Sequence, residues 1–140
     1  MYKCRKYGKE CSICPWVKEG KLAIATGKKY VKEITSHLTC QSRNIVYMIE
    51  CDKCKLQYIG ETDRSLKDRI SEHKGYVSRR QLHQATGAHF NLPGHTINDM
   101  SVMAIQKIHT RGLPYRKELE KEEISNFNTY HKGINKSPGG

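Results

Sequence analysis

The chain has 140 residues, 36% of them hydrophobic, and 25 Lys and Arg against 14 Asp and Glu give a formal charge of +11. That length fits one domain with at most a small appendage, and the modest apolar fraction calls for reinforcement by disulfides or metals. No apolar run approaches a membrane span and no secretory h-region precedes the first cysteine, so no membrane partner is expected; the charge points to a polyanion.

Residues 1–43 hold ten Lys or Arg against three Glu, a net +7 that leaves +4 for the rest. Cys4, Cys11, Cys14 and Cys40 fall here, and Gly8, Gly20 and Gly27 interrupt any long helix. Free cysteines in CxxC pairs within a Lys-rich, intracellular chain read as zinc ligands rather than disulfides. The C-x6-C-x2-C spacing with a distant fourth cysteine suits a tetrahedral structural zinc site, and His37 competes with Cys40 for the fourth position. The lysines here, Lys28 and Lys29 among them, form a solvated surface or a phosphate-contacting arm. Residues 1–43 thus read as a basic zinc-binding extension, 44–136 as the main domain, and 137–140 as a frayed tail.

Ile45-Val46-Tyr47-Met48-Ile49 has apolar side chains on both alternating faces and predicts a strand buried on both sides. Gln57-Tyr58-Ile59-Gly60 predicts a second strand. A two-residue turn at Asp52-Lys53 would set Cys51 opposite Cys54 and Tyr47 opposite Tyr58, bringing two phenols together. Thr62 or Asp63 is the expected cap of the next helix, whose apolar stripe is Leu66, Ile70 and Val77. Arg69 and His73, spaced i,i+4, fall within that stripe and must point toward the tyrosines. Arg64 stands near the helix start and Arg79-Arg80 at its end, all three as phosphate contacts.

A shorter helix is expected over residues 81–90. His89 and His95, downstream of the CxxC, complete a Cys2His2 set with Cys51 and Cys54 that would tie the hairpin tip to the segment after the helices. Met100 to Ile108 predicts a third strand. Pro114 opens a last helix over residues 113–128, with Leu119, Ile124 and Phe127 as its buried face. Glu120 lies at the edge of that face, where a carboxylate needs a partner that a divalent cation would supply; Glu123 is its main competitor. The expected fold is a small α/β domain, with helices packed on a three-stranded, mainly antiparallel sheet.

Ile45-Val46-Tyr47, Tyr58-Ile59-Gly60, Arg69 and His73, in that order, resemble the GIY-YIG nuclease domain, with Ile45 where the family name has glycine. A CxxC between the two motifs, at Cys51 and Cys54, is similar to the endonuclease domain of Penelope-like retroelements, and so is the Cys2His2 zinc pattern. The likeness spans about residues 40–135. Glu120-x-x-Glu123-Ile124 matches the family's Glu-x-x-aromatic-Ile except at Glu123, and Gly133-Ile134-Asn135 matches its closing motif, implying that Asn135 orients groups at the site. The resemblance implies a DNA nickase whose full-length protein carries a reverse transcriptase domain, acting in the nucleus.

In such a site one Mg²⁺ or Mn²⁺ on Glu120 supplies Lewis acidity, and Arg69 holds the non-bridging phosphate oxygens. A tyrosine serves as base, its pKa lowered by Arg69 and a metal-bound water. Tyr47 is the favoured base, with Tyr58 holding the water, while His73 is either an alternative base or a phosphate contact. The competing class is a catalytically inactive, zinc-stabilised nucleic-acid-binding module. A redox role for the CxxC pairs lacks the strand-to-helix context that it requires.

Overall fold

The computed structural model describes residues 11–109 and 113–139. Its centre is a three-stranded antiparallel sheet in the order β4-β3-β5, made of β3 (Arg43–Cys51), β4 (Gln57–Ser65) and β5 (Met100–Lys107). The middle strand is the apolar run: every residue from Ile45 to Cys51 is buried, because sheet neighbours cover both edges and other elements cover both faces. Helix α1 (Leu66–Ser78) follows β4 directly, α2 (Ala85–His89) is a short turn beside it, and α3 (Leu113–Phe127) packs against β4 and β3. The fold is therefore the small α/β architecture that the sequence pattern predicts.

Two local expectations are corrected. Glu50 pairs with Gln57, so the hairpin turn spans Asp52 to Lys55 rather than two residues; Lys55 turns left-handed (φ 67°) and its amide donates to the Cys51 carbonyl at 2.7 Å. This register pairs Tyr47 with Gly60 and Tyr58 with Ile49. The cap of α1 is Ser65, whose hydroxyl accepts from the Asp68 amide at 3.1 Å, because Thr62 and Asp63 still belong to a nine-residue β4. The helix expected over residues 81–90 shortens to α2, and its N-terminal part is turn.

The segment before the sheet joins the same core. A two-stranded ribbon, β1 (Leu22–Ile24) with β2 (Val31–Glu33), sits where the Gln57 side chain donates to the Ile24 carbonyl (2.8 Å) and accepts from the Thr26 amide (3.0 Å). Tyr30 meets Phe127 edge to face, with centroids 5.2 Å apart, and Trp16 donates its indole N–H to Ile97. Ile13, Ile34 and Leu38 are fully buried beside Ile45 and Phe127 in one continuous core.

At the free edge of β4 the chain end supplies what a fourth strand would. The Ile134 amide donates to the Gln57 carbonyl (2.8 Å), and the Asn135 side chain both accepts from the Ile59 amide and donates to its carbonyl, each at 2.9 Å. Those backbone groups are thereby paired rather than open to another chain.

Candidate active site

The register explains why two tyrosines still meet. Tyr47 and Tyr58 are diagonal rather than opposite neighbours, and their ring centroids lie 6.4 Å apart. The residue opposite Tyr47 has to be small: a Cβ on Gly60 would overlap the hydroxyl end of the Tyr47 ring. Gly60 is thus the floor on which that phenol lies.

From α1, Ile70, Val77 and Leu66 anchor the helix on the sheet, and the same face carries Arg69 and His73 to Tyr47. The Arg69 Nε donates to the Tyr47 hydroxyl oxygen at 3.0 Å. Tyr47 Oη lies 2.8 Å from His73 Nε2, and His73 Nδ1 lies 2.6 Å from the Thr86 hydroxyl of α2. His73 is 2% exposed; burial, reinforced by the Arg69 charge, holds it well below the ordinary imidazole range, so the ring is neutral. A neutral ring between these partners accepts the Tyr47 proton at Nε2 and donates from Nδ1 to Thr86. Arg69–Tyr47–His73–Thr86 is thus one continuous chain of hydrogen bonds, and Arg69 is further held by Glu72 and, at 3.4 Å, by Tyr76.

The open side of the site is a polar cleft of about 280 Å³ whose walls include Tyr58, Arg69, Glu120, Asn135, Glu61 and Lys117. Four elements and the last described residues converge there: β4, α1, α2 through Ala85, α3, and residues 135–137 with Gly139. Four of the six residues expected at the catalytic centre line this cleft; Tyr47 and His73 lie behind it. Tyr47 has no exposed surface, and burial, with the neighbouring Tyr58, pushes its phenol well above the usual tyrosine range. The expected lowering of that phenol is therefore corrected: desolvation outweighs the nearby guanidinium. Tyr58 is also raised by burial, with Arg69 partly opposing, but its ring borders the cleft.

Glu120 is held inside the cleft, its side chain 12% exposed, rather than in bulk solvent. Its ion partner among the described residues is Lys117 at the long distance of 3.9 Å, and burial raises its carboxyl above the usual range, Lys117 only partly opposing. Glu61, by contrast, is bound by Arg116 at 3.0 Å and Lys117 at 3.6 Å. A half-buried, loosely paired carboxylate in a polar cleft fits a hard divalent cation that keeps several waters. Glu123, its rival in the sequence, points instead to the ribbon, where Tyr30 (3.3 Å) and Lys32 (3.7 Å) meet it. That polar socket explains how a carboxylate occupies a position read as aromatic.

At the far end of the hairpin, Cys51, Cys54, His89 and His95 bring one ligand atom each within 4.8 Å of one another. Cys54 Sγ lies 3.3 Å from His89 Nε2, and the buried His95 Nε2 meets no nitrogen or oxygen partner among the described residues, only the Cys54 thiol. Two sulfurs and two imidazoles at this spacing fit a tetrahedral zinc ion. Cys11, Cys14 and Cys40 form a second group, with Cys11 and Cys40 sulfurs 2.9 Å apart; burial and the neighbouring thiols push Cys40 up to about 12. Cys4 lies outside the described residues, and His37 is exposed and outside this group.

Of the expected phosphate contacts, Lys28, Lys29, Arg79 and Arg80 are exposed, and Arg64 pairs with Glu72 at 3.1 Å. Residues 137–139, expected to fray, lie along α3, with Gly139 beside Lys121. Sequence reasoning missed Thr86, Glu61 and Tyr76. Glu61 directly follows the Tyr58-Ile59-Gly60 motif and was open to notice; Thr86 and Tyr76 carry no signal apart from the fold. The family model of the GIY-YIG catalytic domain matches residues 43–135. No curated protein and no solved structure matches the chain.

Proposed function

This chain belongs to the GIY-YIG family, whose catalytic domain is a nuclease, and we propose that it hydrolyses DNA phosphodiesters with one divalent cation and cuts one strand per event. The observation that carries this reading is the single cleft shared by Tyr58, Arg69, Glu120 and Asn135. A Mg²⁺ or Mn²⁺ ion held by Glu120 would supply Lewis acidity at the phosphorus.

The chain's own residues do the rest. Arg69, anchored through Nε by Tyr47, keeps its guanidinium at the cleft, where it binds the non-bridging oxygens and stabilises their growing charge. Tyr58 is the phenol that meets the attacking water, its hydroxyl oxygen accepting a hydrogen bond that orients the water toward the phosphorus. Tyr47 and His73 are positioning residues, since Tyr47 bonds Arg69 directly and His73 holds Tyr47. Asn135 ties the chain end to Ile59, next to Tyr58, and so fixes that wall of the cleft. One site with one cation has no second cutter, which supports nicking.

The CxxC between the two motifs and the Cys2His2 group support a place among endonucleases of Penelope-like retroelements, with a reverse transcriptase domain elsewhere in the full-length protein, action in the nucleus, and zinc in both cysteine groups. Supercoiled plasmid incubated with Mg²⁺ is expected to become open-circular, and Glu120→Ala to stop this while DNA binding persists. Intact plasmid in both Mg²⁺ and Mn²⁺ would leave the binding module as the better reading.

A further inference from the structure

Beside the catalytic cleft, on the other side of the 137–139 segment, lies a second hollow of about 390 Å³, within the size range of ligand sites. Lys28, Lys121, Tyr130, His131, Asn128 and Ser125 line it, and among the described residues no carboxylate side chain does. It shares Ile124 with the catalytic cleft, and the chain passes from Ser137 in one to Pro138 in the other, so the two are neighbours along α3.

The hollow is built by interactions rather than by loose surface lysines. Asn128 adopts a left-handed conformation (φ 54°) just after α3, and the Thr129 amide then donates to the Ile124 carbonyl at 3.1 Å. This reversal brings Tyr130 and His131 back beside the helix, their ring centroids 4.8 Å apart. The Asn128 side chain donates to the Gly27 carbonyl at 3.1 Å and pins the ribbon turn that carries Lys28. Gly27 fits closely there: a Cβ would sit 3.1–3.2 Å from the carbonyl oxygens of Lys132, Phe127 and Asn128.

We propose that this hollow is a nucleotide subsite, holding the DNA strand next to the scissile phosphate with a base on Tyr130 and backbone phosphate on Lys28 and Lys121. The inference rests on the nuclease reading and deepens it. Cations placed around a part-exposed aromatic ring, with no acidic side chain among the described lining residues, is the chemistry that recognises a single nucleic-acid strand. Tyr130 is 40% exposed, so part of its ring is accessible to a base. The ordinary alternative is that Lys28 and His131 merely complement the negative end of α3.

The test uses the full chain without added Mg²⁺ or Mn²⁺ and fluorescein-labelled oligonucleotides read by anisotropy. Tyr130→Ala is expected to weaken binding about five- to tenfold, and Tyr130→Phe to restore it, because stacking needs the ring and not the hydroxyl. Lys121→Ala is expected to reduce the slope of log K against log salt by about one. With 2-aminopurine placed at successive positions, quenching should be lost in Tyr130→Ala at a position adjoining the cut. Unchanged affinity and salt slope in all variants, with only lowered melting temperatures, would overturn the subsite and leave the helix-end role. A wild-type chain that cuts DNA while Tyr130→Ala binds as before defeats this inference alone; one that neither binds nor cuts defeats the nuclease reading.

Discussion

The two ends of the β3–β4 hairpin hold their polar groups in opposite ways. At the catalytic end, Tyr47, His73 and Thr86 are buried and linked by hydrogen bonds through His73, and Gly60 leaves room for the ring, so this part of the site needs no guest to assemble. At the tip, Cys54 is exposed, His95 Nε2 has no nitrogen or oxygen partner among the described residues, and four ligand atoms converge within 4.8 Å. The Tyr47–His73–Thr86 chain is organised before any ion arrives; the tip is organised for an ion. The comparison teaches that closeness of side chains is not enough: what matters is whether each polar atom is satisfied without a guest.

The largest effect that would test this difference is metal removal. Chelation, or Cys54→Ala, is expected to release zinc and lower the melting temperature sharply, since structural zinc contributes on the order of 10 kcal/mol to small units. Metal analysis with a thermal melt reads both. An unchanged melt would mean that the tip, like the catalytic end, is held by packing.

Gly60→Ala comes next, because the added methyl must displace the Tyr47 ring and with it the bonds to Arg69 and His73. Overpacking of this kind costs about 1–3 kcal/mol, and nicking should fall further than stability does. A variant that nicks normally would show that Tyr47 does not set the position of Arg69.

Thr86→Val keeps the shape and deletes the partner of His73 Nδ1, at a cost of about 1–3 kcal/mol for the unsatisfied donor. Thr86→Ser should recover most of the loss. The ¹⁵N shifts of His73 give a readout besides activity: the wild-type ring should carry its proton on Nδ1, and the Val variant should mix tautomers.

The smallest effect is one of pH. His73 is depressed in the fold, so between its folded value and the unfolded value of about 6.5 the unfolded chain binds the extra proton. Stability is therefore full above that range and declines as pH falls through it. His73→Gln should flatten this decline in denaturant titrations at pH 5 and pH 7.

Much of this was legible in the residues. The apolar run at 45–49, the i,i+4 pair Arg69 and His73, and the position of Glu120 each have a period that dictates a face, and each lies on the face expected. The hairpin turn was misread because a two-residue turn is the default between short strands, whereas Lys55 in the left-handed region permits a longer one. That error shifted the register, yet Tyr47 and Tyr58 still meet because diagonal neighbours on one face also touch.

What the sequence determined by itself was which side chains share a face, since strand and helix periods are local properties of the backbone. What only the tertiary structure decided was depth. Tyr47 and Tyr58 look equivalent in the chain, but packing by α1 and α2 buries the first and leaves the second at the cleft. Desolvation depends on neighbours far apart in sequence, Thr86 and His73 among them, and no local pattern encodes it.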